Sequence, residues 1–476
     1  MLKVIYSSRK YVVCFCMLYA ISIFASKAYS QAISRAYYVS NTGSDNGTGS
    51  RKSPFKTISR INSVKFHAGD SILFSGGHSF QGTLVIGKLN PGISKKPFYI
   101  SSYGKGNATI DGGNSSSILI DKVKSIKIRS LQLKGSGRKE GNSKDGIVVN
   151  ECSNVTINNL AISGFQKAGL LINSSSKVAV SNVYAFENGF AGILIEGQNG
   201  KKNSKNILIK DCIAENNPGD PTVLNNHSGN GILVGHSTSV TIEYCVATNN
   251  GWDMPRIGNG PVGIWCYEAD SVTIRYCISY KNKTAKGADD GGGFDLDGGV
   301  TNSIIEYCLS YENQGSAFGI FQYDGASPWY QNIIRNNVSE NDGNISAAHA
   351  SAYIWNSSND AEQFKNLTFY KNILYNDSGA AIHYASESVR KVFSFYDNLF
   401  ISKDKIVLGQ AQEDSYLHNY AWSFSGHYQM DSLKNMGDAN AVLKTNSRYK
   451  PIRNEIHDPH KLKAVIETQL SKYLKD

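Results

Sequence analysis

GILVGHSTSVTIEYCVATNN at residues 231–250 returns as GIWCYEADSVTIRYCISYKN at 263–282 and as GFDLDGGVTNSIIEYCLSYEN at 293–313. Each copy is a Gly-started apolar strand, a second alternating strand and an Asn-bearing turn. No such unit can bury its apolar face alone, so a repeat of this kind means a solenoid whose coils bury one another. Consecutive coils then lie about 4.8 Å apart as parallel strands, and each inward side chain meets its equivalents above and below. Inward positions should stay apolar, as Ile232, Ile264, Phe294 and Ile320 do. Turn positions should repeat a hydrogen-bonding residue. Asn188, Asn217, Asn250, Asn282 and Asn313 fall at one register, with Asp342 and Asp377 continuing it. An Asn in a turn tolerates left-handed backbone and bonds neighbouring backbone groups, so this stack reads as a structural ladder. The expected fold is all-β, a single-stranded right-handed parallel β-helix with capped ends.

Earlier units open at GIVV (146–149), GLLI (169–172) and GILI (192–195), and weaker copies follow at GIFQY and AIHYA. The helix proper is expected over 114–400, after an N-terminal cap and first coils at 31–113 and before a C-terminal cap at 401–476. In that last segment His460 to Leu474 has the spacing of an amphipathic helix, with Leu462, Ile466 and Leu470 on one side. Residues 1–30 combine a basic start (Lys3, Arg9, Lys10), an apolar run from Tyr11 to Ala25 and the small-residue site Ala28-Tyr29-Ser30. That is the pattern of a secretory signal peptide, which predicts a secreted or periplasmic protein starting near Gln31. No later stretch approaches the roughly 20 apolar residues of a membrane span.

The formal net charge is +10. Lys and Arg are scattered through loops instead of forming a stripe, so no nucleic-acid partner is expected, and the charge at most assists an acidic one. Two of the eight cysteines, Cys14 and Cys16, fall in the signal segment. Cys212, Cys245, Cys277 and Cys308 sit at equivalent repeat positions, as inward small hydrophobes would, and not in a disulfide framework. A monomer is expected.

In the strand that opens each unit, side chains alternate between core and solvent, so fixing the apolar positions identifies the outward ones. Up the helix the outward pairs are Val148 and Asn150, Leu171 and Asn173, Leu194 and Glu196, then Leu233 and Gly235 with His236. They change character at Trp265 and Tyr267, followed by Asp295 and Asp297, Phe321 and Tyr323, Tyr353 and Trp355, and Ala381 and His383. Aromatic faces and carboxylates repeated along a line suit a polysaccharide, although aromatics also favour strand surfaces that long loops cover. Asp295 and Asp297 flank inward Leu296, with α-carbons roughly 6.6 Å apart. That spacing permits an inverting glycosidase, whose carboxyls stand about 6.5–9.5 Å apart, without requiring one. Asp289 and Asp290, in the turn KGADDGGG, reach towards the same place, and clustered carboxylates raise at least one pKa, as a general acid needs. The same cluster could instead hold Ca²⁺ in a lyase, with Asp289 and Asp290 as ligands. Glu268, His236, His383 and Arg256 complete the candidate substrate-binding set, Arg256 from the insertion NGWDMPRIGNGP that should overhang the stripe.

The opening AYYVSNTGSDNGTGSRKSPFKTI, with HAGDSILFSGG and KKPFYISSYGKGNATIDGG, resembles the N-terminal coils of extracellular β-helix proteins of the pectate-lyase superfamily, notably family 9 polysaccharide lyases. The resemblance covers roughly residues 36 to 400 and implies the fold. It also implies a calcium-binding aspartate cluster and a lysine base. ADDGGGFDLD is similar to the first part of that family's aspartate motif, with Asp290 the nearest match, while the second part falls on GSAFGIF and has no carboxylate. DGGGFD and Gly235-His236 are faintly similar to motifs of family 28 polygalacturonases, though in the opposite order and without their Asn-Thr-Asp-Gly or Arg-Ile-Lys. The expected activity is carboxylate-assisted hydrolysis of a polysaccharide by Asp295 and Asp297, with Asp290 tuning or replacing one, and with no cofactor. Metal-assisted elimination and non-catalytic glycan binding are the alternatives.

Overall fold

In the computed structural model the described residues are 34–89, 96–344, 350–358, 360–385, 389–409, 414–425, 436–438 and 449–474. The expected signal peptide, residues 1–30, lies outside them. Each coil adds one strand to a 12-stranded sheet that runs from Leu84–Ile86 to Val407–Leu408. It adds one long or two short strands to a second sheet of 25 strands. Between successive coils the strands pair in parallel and in register, as in Ile232↔Ile264 and Ile264↔Phe294, the signature of a right-handed parallel β-helix. Pairing already holds in the first coils, where Ala36–Val39 lies against Ser71–Ser75 and that strand against Phe98–Tyr103.

The second-sheet strands show how sequence bends the coil. Ser153–Ser163 and Ser176–Phe186 run unbroken, whereas later coils split in two, as at Ser237–Glu243 and Val246–Thr248. The break falls where Tyr244, Tyr276 and Tyr307 take left-handed φ just before Cys245, Cys277 and Cys308. These cysteines are buried free thiols, as are Cys212, Cys152 and Cys266, and the row they start is continued by Asn337, Asn372, Asn398 and Asn419.

The turn ladder runs Asn188, Asn217, Asn250, Asn282, Asn313 and Asp342, each accepting from the residue of the coil before. Two details differ from the sequence reading. The left-handed residue is the one before each ladder Asn, as at Asn216, Asn249 and Lys281, and the ladder Asn itself has negative φ. After Asp342 the buried residue is Asn376, which donates to the Asp342 carbonyl at 2.8 Å, while Asp377 is exposed.

The coil after the aspartates is shifted by two residues from the expected register. Phe318 lies against Phe294 and Ile320 against Leu296, so Gly319, not Phe321, sits beside Asp295. Phe321 lies instead against Trp355, and His383 against Tyr353. The reason is packing: a Cβ on Gly319 would lie 2.9 Å from the Asp295 carboxyl, so only the side-chain-free residue fits there. A C-terminal helix, Leu462–Tyr473, buries Leu462, Ile466, Leu470 and Tyr473 against Ile278, Leu309 and Val338 of the second sheet.

Candidate active site

Leu296 is wholly buried in the core, so Asp295 and Asp297 both leave the other side of the backbone. There a cleft of about 640 Å³ runs along the 12-stranded sheet and takes in Asp289, Asp290, Asp295 and Asp297. Asp295 is its floor, only 3% exposed. Asp297 is half-buried and accepts the Gly298 N–H at 2.7 Å. Asp290, also half-buried, comes from the preceding turn at left-handed φ and accepts the Gly260 N–H at 2.8 Å. Asp289 is exposed at the rim.

Beneath them a hollow of about 10 Å³ is lined by Asp290, Asp295, Ser316, Gly319 and Tyr353. That is about the room one water needs. Asp295 Oδ1 and Ser316 Oγ are buried without a hydrogen-bond partner among the described residues, so the hollow is polar as well as small.

All three inner carboxyls hold protons more tightly than usual. Burial, then the Asp297 and Asp290 charges, push Asp295 well up. Burial raises Asp297 too, with the Glu268 charge adding to it and the Gly298 N–H opposing. Asp290 is pushed up to about 7 by burial, with the charges of Asp297 and Asp289 contributing. Asp295 lacks a donor on its buried oxygen, so Asp297, more open and hydrogen-bonded, ionises first of that pair.

Trp265, Tyr267, Phe321, Tyr323, Tyr353 and Trp355 all line the cleft. Trp355 is the open platform at 36% exposure, while Trp265 is buried with its indole N–H on Asn230 at 3.0 Å. The other candidates stand behind the wall. Glu268 accepts the Ser327 N–H at 2.7 Å, His236 meets the Tyr267 ring edge-on, and His383 stacks on Tyr353 at 4.9 Å. Arg256 ties two loops, donating from Nε to the Asn226 carbonyl and from Nη2 to the Asn259 carbonyl, both at 2.8 Å. It does not line the cleft.

Sequence reasoning overlooked Phe190, Asn226, His227, Asn259 and Gly260, which also line the cleft. Four come from the loops 216–229 and 251–261, and the unusual length of NNPGDPTVLNNHSG at 216–229 was the available signal. Glu196, read only as an outward strand residue, accepts the Tyr267 hydroxyl at 2.7 Å and is raised to about 6 by burial.

A calcium site at Asp289 and Asp290 would need about six to eight oxygens. Among the described residues no group of three or more His, Cys, Asp or Glu side chains is arranged to hold a metal ion. Asp290 accepts the Gly260 N–H with one carboxylate oxygen.

Fold and cleft together define a right-handed parallel β-helix with a carboxylate floor and aromatic walls on its strand face. The chain belongs to the Pel9A-like right-handed β-helix family, which it matches over residues 37–349. No curated protein matches it. Among solved structures, a GH136 lacto-N-biosidase from Eubacterium ramulus aligns at TM-score 0.53 and 15% identity, over 82% of this chain and 68% of that one. Pectate lyase Pel9A aligns at TM-score 0.41 and 16% identity over 88% and 87% of the two chains. A rhamnogalacturonan lyase gives 0.45 and 13% over 92% and 99%. At such identities the likeness to the lacto-N-biosidase is one of fold.

Among the described residues no helix is long and apolar enough to cross a membrane.

Proposed function

We propose that the protein hydrolyses glycosidic bonds of a neutral glycan laid along this cleft. The observation that carries the reading is the charge of the lining: Glu196, Asp289, Asp290, Asp295 and Asp297, with no Lys or Arg among the lining residues. Elimination from a uronate needs its carboxylate neutralised, and no Lys or Arg side chain lines the cleft to do so. Hydrolysis needs one carboxyl that keeps its proton and one that gives it up, and environments that push neighbouring pKa values apart supply both. Asp297 serves as the ionised base or nucleophile. Asp290, raised to about 7 and open to the cleft, donates the proton to the leaving oxygen. Asp295, nearly sealed at the floor, keeps its proton and orients its neighbours, so Asp290 replaces it in the pair. That a lacto-N-biosidase shares the fold is consistent with glycosidic chemistry on such a scaffold. Membership of a family named for a pectate lyase keeps elimination as the second reading.

The two part on their products. Purified protein is incubated with a panel of neutral and uronate polysaccharides, read for new reducing ends and for ultraviolet-absorbing unsaturated sugars. Reducing ends without the chromophore, from a neutral polymer, are expected. An unsaturated product from a uronate polymer would overturn the hydrolytic reading. Asp290→Asn and Asp297→Asn should each lower kcat by about 10²–10⁴-fold, and unchanged rates would remove these residues from the chemistry.

A further inference from the structure

Towards the coils that precede the aspartates, one end of the cleft carries a second polar arrangement that the proposed acid–base chemistry does not use. His227 is 8% exposed, on the 216–229 loop, with its ring edge-on to Trp265 at 4.8 Å. Its Nδ1 lies 3.1 Å from Asn230 Nδ2. The amide of Asn230 can point only one way. Its nitrogen faces the Phe190 carbonyl at 3.1 Å, and its oxygen faces the Trp265 indole N–H at 3.0 Å and the Val262 N–H at 3.4 Å. Flipping it would set donor against donor on one side and acceptor against acceptor on the other. Asn230 therefore donates to His227 Nδ1, and the neutral ring must carry its hydrogen on Nε2. Burial, with the Arg256 charge nearby, pushes the imidazole down to about 4, so the neutral form is the resting one.

The ring lines the cleft, and Nε2 has no partner among the described residues. That N–H is open to the cleft instead of sealed in the wall, and a donor already oriented by its neighbours is what a ligand oxygen can take up without further ordering. The Phe190 and Trp265 rings flank the imidazole at 5.8 and 4.8 Å, and no Lys or Arg lines the cleft. We propose that His227, oriented by Asn230, is the hydrogen-bond donor of a sugar subsite at this end, which takes a neutral pyranose through a hydroxyl or ring oxygen. The inference rests on the cleft being a glycan site, but not on which bond chemistry operates there. His227 binds substrate; Asn230 is a positioning residue that acts only through it.

Binding and tautomer are measured separately. Wild type, His227→Phe and Asn230→Asp are titrated calorimetrically with cello-, xylo-, galacto- and chito-oligosaccharides, and with oligogalacturonate as the acidic control. Wild type should bind a neutral oligosaccharide, and His227→Phe should bind it at least tenfold more weakly at unchanged thermal midpoint. Nitrogen-15 shifts of the free protein should place the hydrogen on Nε2 in wild type. In Asn230→Asp the carboxylate can only accept, so the hydrogen should move to Nδ1 and affinity should fall. If Phe at 227 binds as well as His, if only the galacturonate binds, if no oligosaccharide binds, or if the wild-type hydrogen is on Nδ1, the subsite is overturned. His227-dependent binding without turnover would instead sink the hydrolytic reading and leave the subsite standing.

Discussion

At Gly319 one hydrogen in place of a side chain makes room for the floor of the cleft. A Cβ there would lie 2.8 Å from the Phe321 ring and 2.9 Å from the Asp295 carboxyl, closer than either contact allows without movement. Gly319→Ala should therefore displace Asp295, lowering kcat at least tenfold and destabilising the fold by about 1–3 kcal/mol, as overpacking does. Kinetics and urea unfolding of the variant check both. Asp290 allows a prediction whose sign is less intuitive. Its folded pKa, about 7, lies above the ordinary 3.8, so the folded chain keeps a proton the unfolded chain releases. Its contribution to stability is then full at acid pH and is lost as pH rises from about 4 to about 7. Asp290→Asn removes that dependence and keeps an acceptor for Gly260. Relative to wild type, the variant should gain in thermal midpoint on going from about pH 4 to about pH 8, and an equal difference at both would show that the proton is not held. Strand alternation made Asp295 and Asp297 legible from sequence, because Leu296 between them had only one place to go. The two-residue shift at Gly319 was not legible, since GFDLD and GIFQY align at their glycines as strings and only the space needed by Asp295 chooses the other register. His227 was not legible either, because it reaches the cleft from a loop that lies outside the repeat.

At the scale of the element, the ladder shows why Asn occupies so many turns. Asn250 donates from Nδ2 to the Ala214 carbonyl at 3.0 Å and to Asn282 Oδ1 at 2.9 Å. Its Oδ1 accepts from the Asn217 backbone N–H at 3.0 Å and from Asn217 Nδ2 at 2.8 Å. One amide thus satisfies a backbone carbonyl and a backbone N–H of the coil before it while joining the ladder amides on either side, which a side chain that only donates or only accepts cannot do. Asp342 is tolerated at the end because there the side chain only accepts, from Asn313 and Ser339. Asn250→Ala strands the buried Ala214 carbonyl and Asn217 N–H and should cost about 2–4 kcal/mol. Asn250→Asp should cost more as pH rises, because its carboxylate would face the Ala214 carbonyl and Asn282 Oδ1. Urea titrations of both variants at two pH values test this, and equal losses would show that the donor half is dispensable. Repetition made the ladder readable as a column, whereas its backbone geometry, with left-handed φ one residue earlier, is set by how the turn closes and leaves no mark on the Asn itself.

For the whole molecule the question is what couples coils that otherwise touch only their neighbours. The C-terminal segment supplies an answer. Glu340, fully buried at the end of the strand Val338–Glu340, accepts the Tyr449 hydroxyl and the Ile452 N–H, both at 2.7 Å, and the Arg453 N–H at 3.0 Å. From there the chain runs back over earlier coils, laying Ile452, Ile456, Leu462 and Ile466 on the second sheet beside Ile278, Leu309 and Ile373. It reaches as far as Asp211, where His460 Nε2 meets the carboxylate at 2.8 Å and its ring stacks on Tyr244. A solenoid strapped in this way should unfold as one unit over the strapped coils, because opening any of them exposes apolar surface shared with the others. Glu340→Ala leaves three donors, two of them buried, without an acceptor and should cost about 3–5 kcal/mol, enough to free the strap before the coils melt. The expected result is early proteolytic loss of the segment, followed by a broader unfolding transition with a lower m-value, since nearest-neighbour coils then open in steps. Glu340→Gln, which still accepts from part of the set, should fall between. If Glu340→Ala sheds the segment and the remaining coils still unfold in one transition of unchanged slope, coupling is intrinsic to the stacked coils and the segment merely covers them.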